Sequence, residues 1–263
     1  MNDRQKTIIK FLTEEHSAKI GQLAELFHVS DETIRRDLKH LEDMHLLKRV
    51  HGGAVCDTYR AKESDHVNRR NKNIQEKIAI GRLAAACVDD GDSLAISNGT
   101  TTMELVKALR NKKNLTIITN SLDIAMEAAK NETTCIYVLG GQLRRDELSI
   151  SGVLSNQIMS GFRVDKTFFG IGGISPEYGI TDYHVEESLL TQTMLKSAST
   201  KIGLMDFSKI AITGMKKICD VKDLDILIVD WNVSIKEQTA FRSAGVKVMV
   251  ARQPDVSAFR EDI

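Results

Sequence analysis

After about residue 74 the chain alternates short apolar runs with helical segments, and this alternation constrains the fold more than any other feature. Runs such as LTIIT, DKTFFGIGG and DILIVD have the length and the β-branched or aromatic content of buried strands. Strands that alternate with helices form a mainly parallel sheet covered on both faces. The sequence therefore predicts a Rossmann-like α/β domain over residues 74–263, whose ligands bind at the carboxyl ends of the strands.

The first 57 residues have a different pattern, with three helical segments followed by a glycine-containing turn. Ile34, Leu38 and Leu41 form one apolar stripe of the third segment, so the basic residues between them face away from the core. Ser30 is a suitable N-cap for this segment, because its hydroxyl can accept a free backbone N–H. The run LLKRVHGGAV then predicts two short strands around a glycine bend. This order of elements is that of a winged helix-turn-helix domain. In such a domain the second helix of the motif, here the third helical segment, enters the major groove of DNA.

The outward side of the third helix and the strand pair carry the candidate DNA contacts. An arginine can read guanine edges or bind phosphate, and residues near the helix start are placed for base edges. The candidates are Ser30, Glu32, Thr33, Arg35, Arg36, Lys39, Arg49 and His51. Asp37 either orients an arginine or balances charge. The alternative is a helix bundle with a solvated face, and the total of 36 basic and 36 acidic residues does not favour nucleic acid over that alternative.

Residues 58–73 are polar and highly charged, which is typical of a linker between domains. We therefore expect a DNA-binding domain over residues 1–57, a linker over 58–73 and the α/β domain over 74–263. The two domains would then perform different functions within one chain.

Several predicted strands end in turns rich in glycine, hydroxyl or amide groups. In SNGTTTMEL, the glycine lets the backbone approach a ligand, and the threonines bring hydroxyl and N–H groups to a helix N-terminus, which suits an anion such as phosphate. If the sheet brings the other turns together, the pocket suits a small phosphorylated or highly hydroxylated ligand. The candidate effector-binding residues are Asn98, Gly99, Thr100, Thr101, Thr102, Asn120, Ser121, Gly140, Gly141, Arg144 and Lys209. For GTTT the alternative is a simple helix cap, and for Lys209 it is an exposed lysine.

Both halves of the chain contain motifs of one protein family. The run VSDETIRRDLKHLEDMHLLKRVHGGAV resembles the N-terminal domain of DeoR-family transcription regulators. The second half shares the family's further motifs at residues 99–102, 119–122, 140–144, 170–174 and 206–209. The resemblance implies a C-terminal sensor domain similar in fold to ribose-5-phosphate isomerase, a sugar phosphate or related metabolite as effector, and oligomerisation.

The sensor half departs from the family pattern at four positions. Gly172 and Ser175 stand where relatives often have aspartate, and Ser97 and Asn98 stand where many have an aspartate and a small residue. A hydroxyl and an amide in place of a carboxylate change the hydrogen bonds available to effector hydroxyls. We therefore expect the phosphate part of the site to carry over better than the sugar part.

These observations predict a sequence-specific transcriptional regulator, and favour a repressor of a sugar-metabolism operon that is relieved by a phosphorylated sugar. Its partners would be double-stranded operator DNA, the metabolite and further copies of the chain in a dimer or tetramer, because one small DNA-reading domain makes too few contacts for tight specific binding. The alternative is a sugar-phosphate isomerase-like enzyme with an appended DNA-binding domain. Such an enzyme needs a base, with Asp182, Glu186, Glu187 and Asp206 as candidates, and a group such as Lys209 to stabilise the enediolate.

Composition argues against several other classes of protein. The sequence contains no run of about 18 apolar residues and no signal-peptide pattern, so we expect no membrane span and a cytoplasmic location. Its four cysteines are far apart and its histidines are scattered, which argues against a metal site and against a disulfide framework. We expect no cofactor.

Overall fold

The structure is a computed structural model that describes residues 3–15, 17–44, 46–50, 52–55, 66–175 and 178–254. The chain divides into two compact units, residues 1–61 and residues 62–263. The predicted fold class is confirmed, because the first unit contains a helix-turn-helix and the second contains a parallel sheet covered by helices.

The first unit combines three helices with a small antiparallel sheet. In chain order its elements are α1 (Asp3–Glu15), β1 (Ser17–Lys19), α2 (Ile20–Phe27), α3 (Asp31–Asp43), β2 (Lys48–Val50) and β3 (Gly53–Val55). The strand order is β1-β3-β2, so β3 is central. We predicted only β2 and β3, because three residues of sequence SAK have too little alternation to indicate a strand. Gly53 allows this pairing, since a Cβ atom there would lie 2.2 Å from the carbonyl oxygen of Ala18.

The apolar stripe predicted on α3 forms part of the core of the first unit. Ile34, Leu38 and Leu41 are completely buried against apolar residues of α1 and α2. Ser30 caps α3 as predicted, and its hydroxyl oxygen accepts a hydrogen bond of 3.3 Å from the backbone N–H of Thr33. The outward direction of the intervening basic residues therefore follows from burial of the stripe.

Asp37 lies on the inner side of α3 and connects this helix to α1. The residue is 6% exposed, and its carboxylate oxygens accept hydrogen bonds from Arg4 Nε at 2.5 Å and from Gln5 Nε2 at 2.8 Å. The partners are thus on α1 rather than among the arginines of α3. Asp37 therefore both orients an arginine, Arg4 of α1, and balances its charge within the fold.

The second unit is built on a seven-stranded parallel sheet with strand order β15-β14-β12-β9-β4-β5-β6. In chain order its elements are α4 (His66–Asn71), α5 (Ile74–Ala85), β4 (Ser93–Ile96), α6 (Thr100–Ala108), β5 (Thr116–Thr119), α7 (Leu122–Ala128), β6 (Cys135–Val138), β7 (Gln142–Arg144), β8 (Ser149–Ser151), α8 (Val153–Ser160), β9 (Val164–Gly170), β10 (Gly173–Ser175), β11 (Gly179–Asp182), α9 (Val185–Ser197), β12 (Ala198–Met205), β13 (Lys216–Cys219), β14 (Ile226–Val229), α10 (Ile235–Ser243) and β15 (Lys247–Val250).

Neighbouring residues of the strands face opposite sides of this sheet, and both sides are buried. Phe168 packs with apolar residues of α5, α6 and α7, whereas Phe169, the next residue of β9, packs with Leu195 of α9 and Phe241 of α10. Both phenylalanines are completely buried. Burial on two faces explains why the strands read as continuous apolar runs.

Two small antiparallel sheets interrupt the predicted alternation. β10, β11 and β13 form one of them, and β7 and β8 form the other. The run DKTFFGIGG, which we predicted as one strand, is divided at Ile171 and Gly172 into β9 of the main sheet and β10 of a small sheet. The carboxyl end of β9 is therefore followed by a bend, which leaves space beside it.

The predicted linker over residues 58–73 is wrong in its last part. Residues 66–71 form α4, which packs on α6, and residues 72 and 73 connect it directly to α5. Its local sequence did not indicate this helix, because Arg69 pairs with Glu147, which lies 78 positions later in the chain. The rest of the predicted linker, and the boundary at residue 57, lie outside the described residues.

The contacts of Asp37 predict a structural role that can be measured. Asp37→Ala removes a buried acceptor and leaves Arg4 and Gln5 without it, so the free energy of unfolding of the first unit should fall by about 1–3 kcal/mol in urea denaturation. Asp43→Ala, which changes an exposed carboxylate near the end of the same helix, should change it by less than about 0.5 kcal/mol. Equal effects of the two substitutions would contradict the assigned role.

Candidate functional site

The outward face of α3 presents three basic side chains to solvent. Arg35, Arg36 and Lys39 are exposed, and Arg35 and Lys39 form no ion pair with any described residue. Arg36 Nε lies 3.7 Å from Glu32 Oε1, with both side chains more than two thirds exposed, so this pair holds them weakly. The face is therefore free to meet a polyanion, and Arg35 is the guanidinium with the fewest competing contacts.

Two other predicted DNA contacts lie at the start of α3 and already serve the fold. The hydroxyl groups of Ser30 and Thr33 are 2.9 Å apart and hydrogen-bonded to each other, in addition to the capping bond from the Thr33 N–H. Their second hydrogen-bonding capacity remains available, because a hydroxyl is both a donor and an acceptor. These residues are placed at the helix end that a helix-turn-helix directs towards bases.

Arg49 on β2 is tied to the end of α3. Its Nε donates to Glu42 Oε2 at 2.5 Å, and its backbone N–H donates to Glu42 Oε1 at 2.8 Å. This two-point contact fixes the strand pair to the helix, so the guanidinium is not free to reach far from the protein. His51, the remaining predicted contact, lies outside the described residues.

In the second unit a cleft opens at the carboxyl ends of β4, β9 and β12, where a ligand of a parallel sheet is expected. Its volume, counted out to the open mouth, is about 830 Å³. The lining groups are mostly polar. They are Arg69, Lys72, Asn73, Lys77, Asn98, Gly99, Thr100, Thr101, Gly170, Ile171, Gly172, Asp182, Tyr183, Glu187, Met205, Asp206, Ser208 and Lys209.

The N-terminus of α6 forms one wall of this cleft. Gly99 precedes the helix and no side chain caps its first turn. Thr101 is 7% exposed, lines the cleft, and has a hydroxyl with no hydrogen-bond partner in the described part of the chain. Thr102 is turned inward instead, and its hydroxyl donates to the carbonyl oxygens of Ser97 and Gly99, both at 2.9 Å. An uncapped helix start beside a free hydroxyl is suited to an anion.

Positive charge accumulates in the same cleft. The ammonium groups of Lys72 and Lys209 form no ion pair or hydrogen bond within the described ranges, although both line the cleft. Lys77 is buried, and its ammonium donates to the backbone carbonyls of Arg69 and Lys72. Burial lowers the pKa of Lys77 to about 8, and it also lowers the pKa of Lys209, while the nearby Asp206 carboxylate opposes both shifts. The cleft thus holds cations whose charge is only partly balanced.

Carboxylates line the remaining wall. Asp206 Oδ1 accepts hydrogen bonds from Asn73 Nδ2 at 2.8 Å and from the Ser208 N–H at 3.0 Å, which fixes the carboxylate at the end of β12. Asp182 lies against Gly172, where a Cβ atom would be 2.8 Å from its Oδ1. A carboxylate therefore occupies the space beside Gly172, although the sequence comparison with the family pattern indicated the loss of an acid at that position.

Several predicted effector contacts stand behind the cleft and shape it. Asn120 is buried, and its amide accepts from the Asn98 N–H at 2.9 Å and donates to the Ile150 carbonyl at 3.1 Å. Ser121 caps α7 and lines a smaller adjoining cavity. Arg144 lies within 3.3 Å of Glu187 Oε1, so it contacts a lining residue rather than the cleft itself. These side chains support the cleft wall.

Two further predicted contacts, Gly140 and Gly141, follow β6 and do not line the cleft. The Gly140 carbonyl accepts a hydrogen bond from the Ser155 hydroxyl at 2.6 Å, and a Cβ atom at Gly141 would lie 2.5 Å from that hydroxyl oxygen. The pair of glycines therefore lets the chain pass close to α8. Of the eleven predicted effector residues, the structure brings five to the cleft: Asn98, Gly99, Thr100, Thr101 and Lys209.

Sequence reasoning missed the contribution of α4 and α5. Arg69, Lys72, Asn73 and Lys77 line the cleft, but the first three lie in the segment that we predicted as a linker. The signal available in the sequence was the basic run NRRNKN directly before an amphipathic helix. A basic run of that kind is usually solvated, so the signal was too weak to identify cleft residues.

Comparison with known proteins agrees with this architecture. Residues 4–60 match the DeoR-like helix-turn-helix domain, and residues 72–231 match the DeoR C terminal sensor domain. The HTH-type transcriptional repressor GlcR of Bacillus subtilis is 34% identical over 228 residues, which cover 87% of this chain and 88% of GlcR. The lactose phosphotransferase system repressor of Staphylococcus epidermidis is 32% identical over 233 residues, which cover 88% of this chain and 92% of that protein.

Among solved structures, ribose 5-phosphate isomerase A of Methanocaldococcus jannaschii is similar to 53% of this chain and 55% of that chain, with 17% identity and a TM-score of 0.38. The two domain matches and the relatives show that the chain belongs to the DeoR family, and that it is a transcriptional regulator rather than an enzyme. Within the described ranges, no helix combines the length and the apolar character that a membrane crossing requires.

Proposed function

We propose that the chain is a repressor of a sugar-metabolism operon, and that a sugar phosphate bound in the cleft of the second unit controls it. The observation that carries this proposal is the pair of unpaired ammonium groups, Lys72 and Lys209, beside the uncapped N-terminus of α6. A phosphate carries close to two negative charges and three acceptor oxygens at neutral pH, which matches two ammonium groups, free amide N–H groups and the Thr101 hydroxyl.

Other groups that line the cleft support a ligand that also carries hydroxyl groups. Asp182, Glu187 and Asp206 present carboxylates and Asn98 presents an amide, and these groups bind sugar hydroxyls by hydrogen bonds. An anion without hydroxyl groups would gain nothing from the carboxylates and would be repelled by them. By its name, the relative from Staphylococcus epidermidis represses a lactose phosphotransferase system, which supports a sugar-metabolism operon as the target here.

For operator binding we propose that α3 enters the major groove. Arg35 reads a base edge or a phosphate there, with Lys39 and Arg36 beside it, and Arg49 contacts a phosphate from the strand pair. One such unit reads a short half-site, so tight binding requires at least two copies of the chain in a dimer or tetramer. The effector relieves repression by favouring an arrangement of the oligomer in which the DNA-binding units no longer match the spacing of the operator half-sites. This requires a coupling free energy of about 1–3 kcal/mol between effector binding and operator binding.

The assignment of α3 predicts the effect of a single arginine. Arg35→Ala should weaken binding to the operator, selected from random-sequence duplexes, by about 1–3 kcal/mol if the side chain reads a base. If it touches only phosphate, the loss should be equal on all sequences and the slope of log affinity against log salt should shrink by about one. Gel-shift titrations at several salt concentrations measure both quantities.

Arg82→Ala is the matched control for this experiment, because Arg82 is an exposed arginine of α5 in the second unit. It should leave operator affinity unchanged. Unchanged affinity in Arg35→Ala and in Arg36→Ala would contradict the assignment of α3 as the DNA-reading helix.

The effector assignment predicts a response to sugar phosphates. Pentose and hexose phosphates are titrated into the complex of the full chain with its operator duplex, and at least one should weaken operator binding by about 5–150-fold and raise Tm. The unphosphorylated sugars should do neither. Lys209→Met should lose both responses, while its Tm without ligand is unchanged or raised, because the substitution removes a partly buried cation that forms no ion pair with a described residue.

Lys236→Met serves as the control, since Lys236 is exposed on α10 and has no described partner. It should respond as the unmodified chain does. If no sugar phosphate alters Tm or operator affinity, the proposed effector class is wrong; if one of them strengthens operator binding, the effector is a corepressor.

A further inference from the structure

α4 is the first helix of the second unit, and along the chain it directly follows the segment that leads from the DNA-binding unit. It has six residues, which is too short for a helix to be stable on its own in water. Its position therefore depends on the contacts that it and the next residues make. Those contacts lie at the effector cleft.

Three polar side chains hold this part of the chain in place. The Arg69 guanidinium pairs with Glu147, whose side chain is 3% exposed. The buried Lys77 ammonium donates to the carbonyls of Arg69 and Lys72, and so caps the C-terminal end of α4. Asn73 donates to Asp206 at the end of β12. Lys77 and Asp206 line the cleft, and Glu147 accepts a hydrogen bond from Asn98, which also lines it.

Lys72 stands at this C-terminal end, and its ammonium has no hydrogen-bond or ion-pair partner in the described part of the chain. Its ammonium lines the cleft together with Lys209, which follows β12 on the other side. Burial lowers the pKa of the Lys209 ammonium, and the charge of Lys72 lowers it further, so repulsion between these two lysines opposes the contacts that hold α4 to the sheet. An anion between Lys72 and Lys209 reverses that repulsion.

We propose that the anionic group of the effector is bound jointly by Lys72 at the end of α4 and by Lys209 with the N-terminus of α6, so that the ligand fastens α4 to the sheet. This inference rests on the proposed function. It adds Lys72 as an effector-binding residue and assigns the regulatory movement to residues 66–73. Effector binding then restricts residues 66–73, which follow the DNA-binding unit in the chain. This restriction changes the positions that the DNA-binding units of an oligomer can reach.

Hydrogen–deuterium exchange of the full chain tests this inference. The probes are ribose 5-phosphate, glucose 6-phosphate, fructose 6-phosphate and inorganic phosphate, each added at a concentration that saturates its effect on Tm. We expect a binding probe to slow the exchange of amides within residues 66–73 by tenfold or more. In Lys72→Gln the same probe should bind about 5–30-fold more weakly and, at saturation, slow that exchange by less than threefold.

Lys236→Gln is the matched control and should behave as the unmodified chain. A folding defect in Lys72→Gln would appear as a lower Tm without probe; Lys72→Arg, which keeps the charge, should then restore the protection of residues 66–73. If a probe raises Tm but leaves exchange of these residues unchanged, or protects Lys72→Gln fully, the inference is overturned while the proposed effector class stands. If no probe changes Tm in the unmodified chain, the proposed function and the inference both fail.

Discussion

The cleft of the second unit depends on one constraint. Two lysine ammonium groups are partly removed from water near the carboxyl ends of three parallel strands. Burial lowers the pKa of Lys77 to about 8 and lowers that of Lys209 as well, so both ammonium groups are held at an energetic disadvantage. Backbone carbonyls offset this for Lys77, whereas Lys209 has no close partner among the described residues. A protein retains such a group where an anionic ligand completes its environment, which is consistent with a sensor domain.

The sheet and its helices could be predicted from the sequence because burial on two faces imposes a pattern that short windows reveal. The same is true of α3, where Ser30, Ile34 and Leu38 take the positions that capping and helical spacing require. Turns at the ends of β4 and β12 could also be identified, since their glycine, threonine and lysine residues adjoin recognisable strands. What these elements share is that local sequence determines their structure.

The rest of the candidate site depends on contacts between residues far apart in the chain. Arg69 pairs with Glu147, and Asn73 with Asp206, 133 positions later, so the local sequence of α4 gave no indication of its place. Asp182 lies beside Gly172 because β10 and β11 pair with each other, which the sequence alone did not predict. In the first unit, Asp37 resembles the other charges around α3 in the sequence, yet it is buried and accepts hydrogen bonds from two residues of α1. Charge patterning does not separate internal ion pairs from side chains available to DNA.

The central claim is that lysines whose pKa is lowered by burial receive the anionic group of a sugar phosphate, and proton linkage tests it most directly. Calorimetric titration of the full chain at pH 8, in two buffers that differ in ionisation enthalpy, measures the protons exchanged on binding. A sugar phosphate is already a dianion at this pH, because its second pKa is about 6. Bound anion should raise the lowered pKa values of Lys77 and Lys209, so binding should take up protons and affinity should fall as the pH rises above 8. Binding without proton uptake, or with proton release, would contradict the claim.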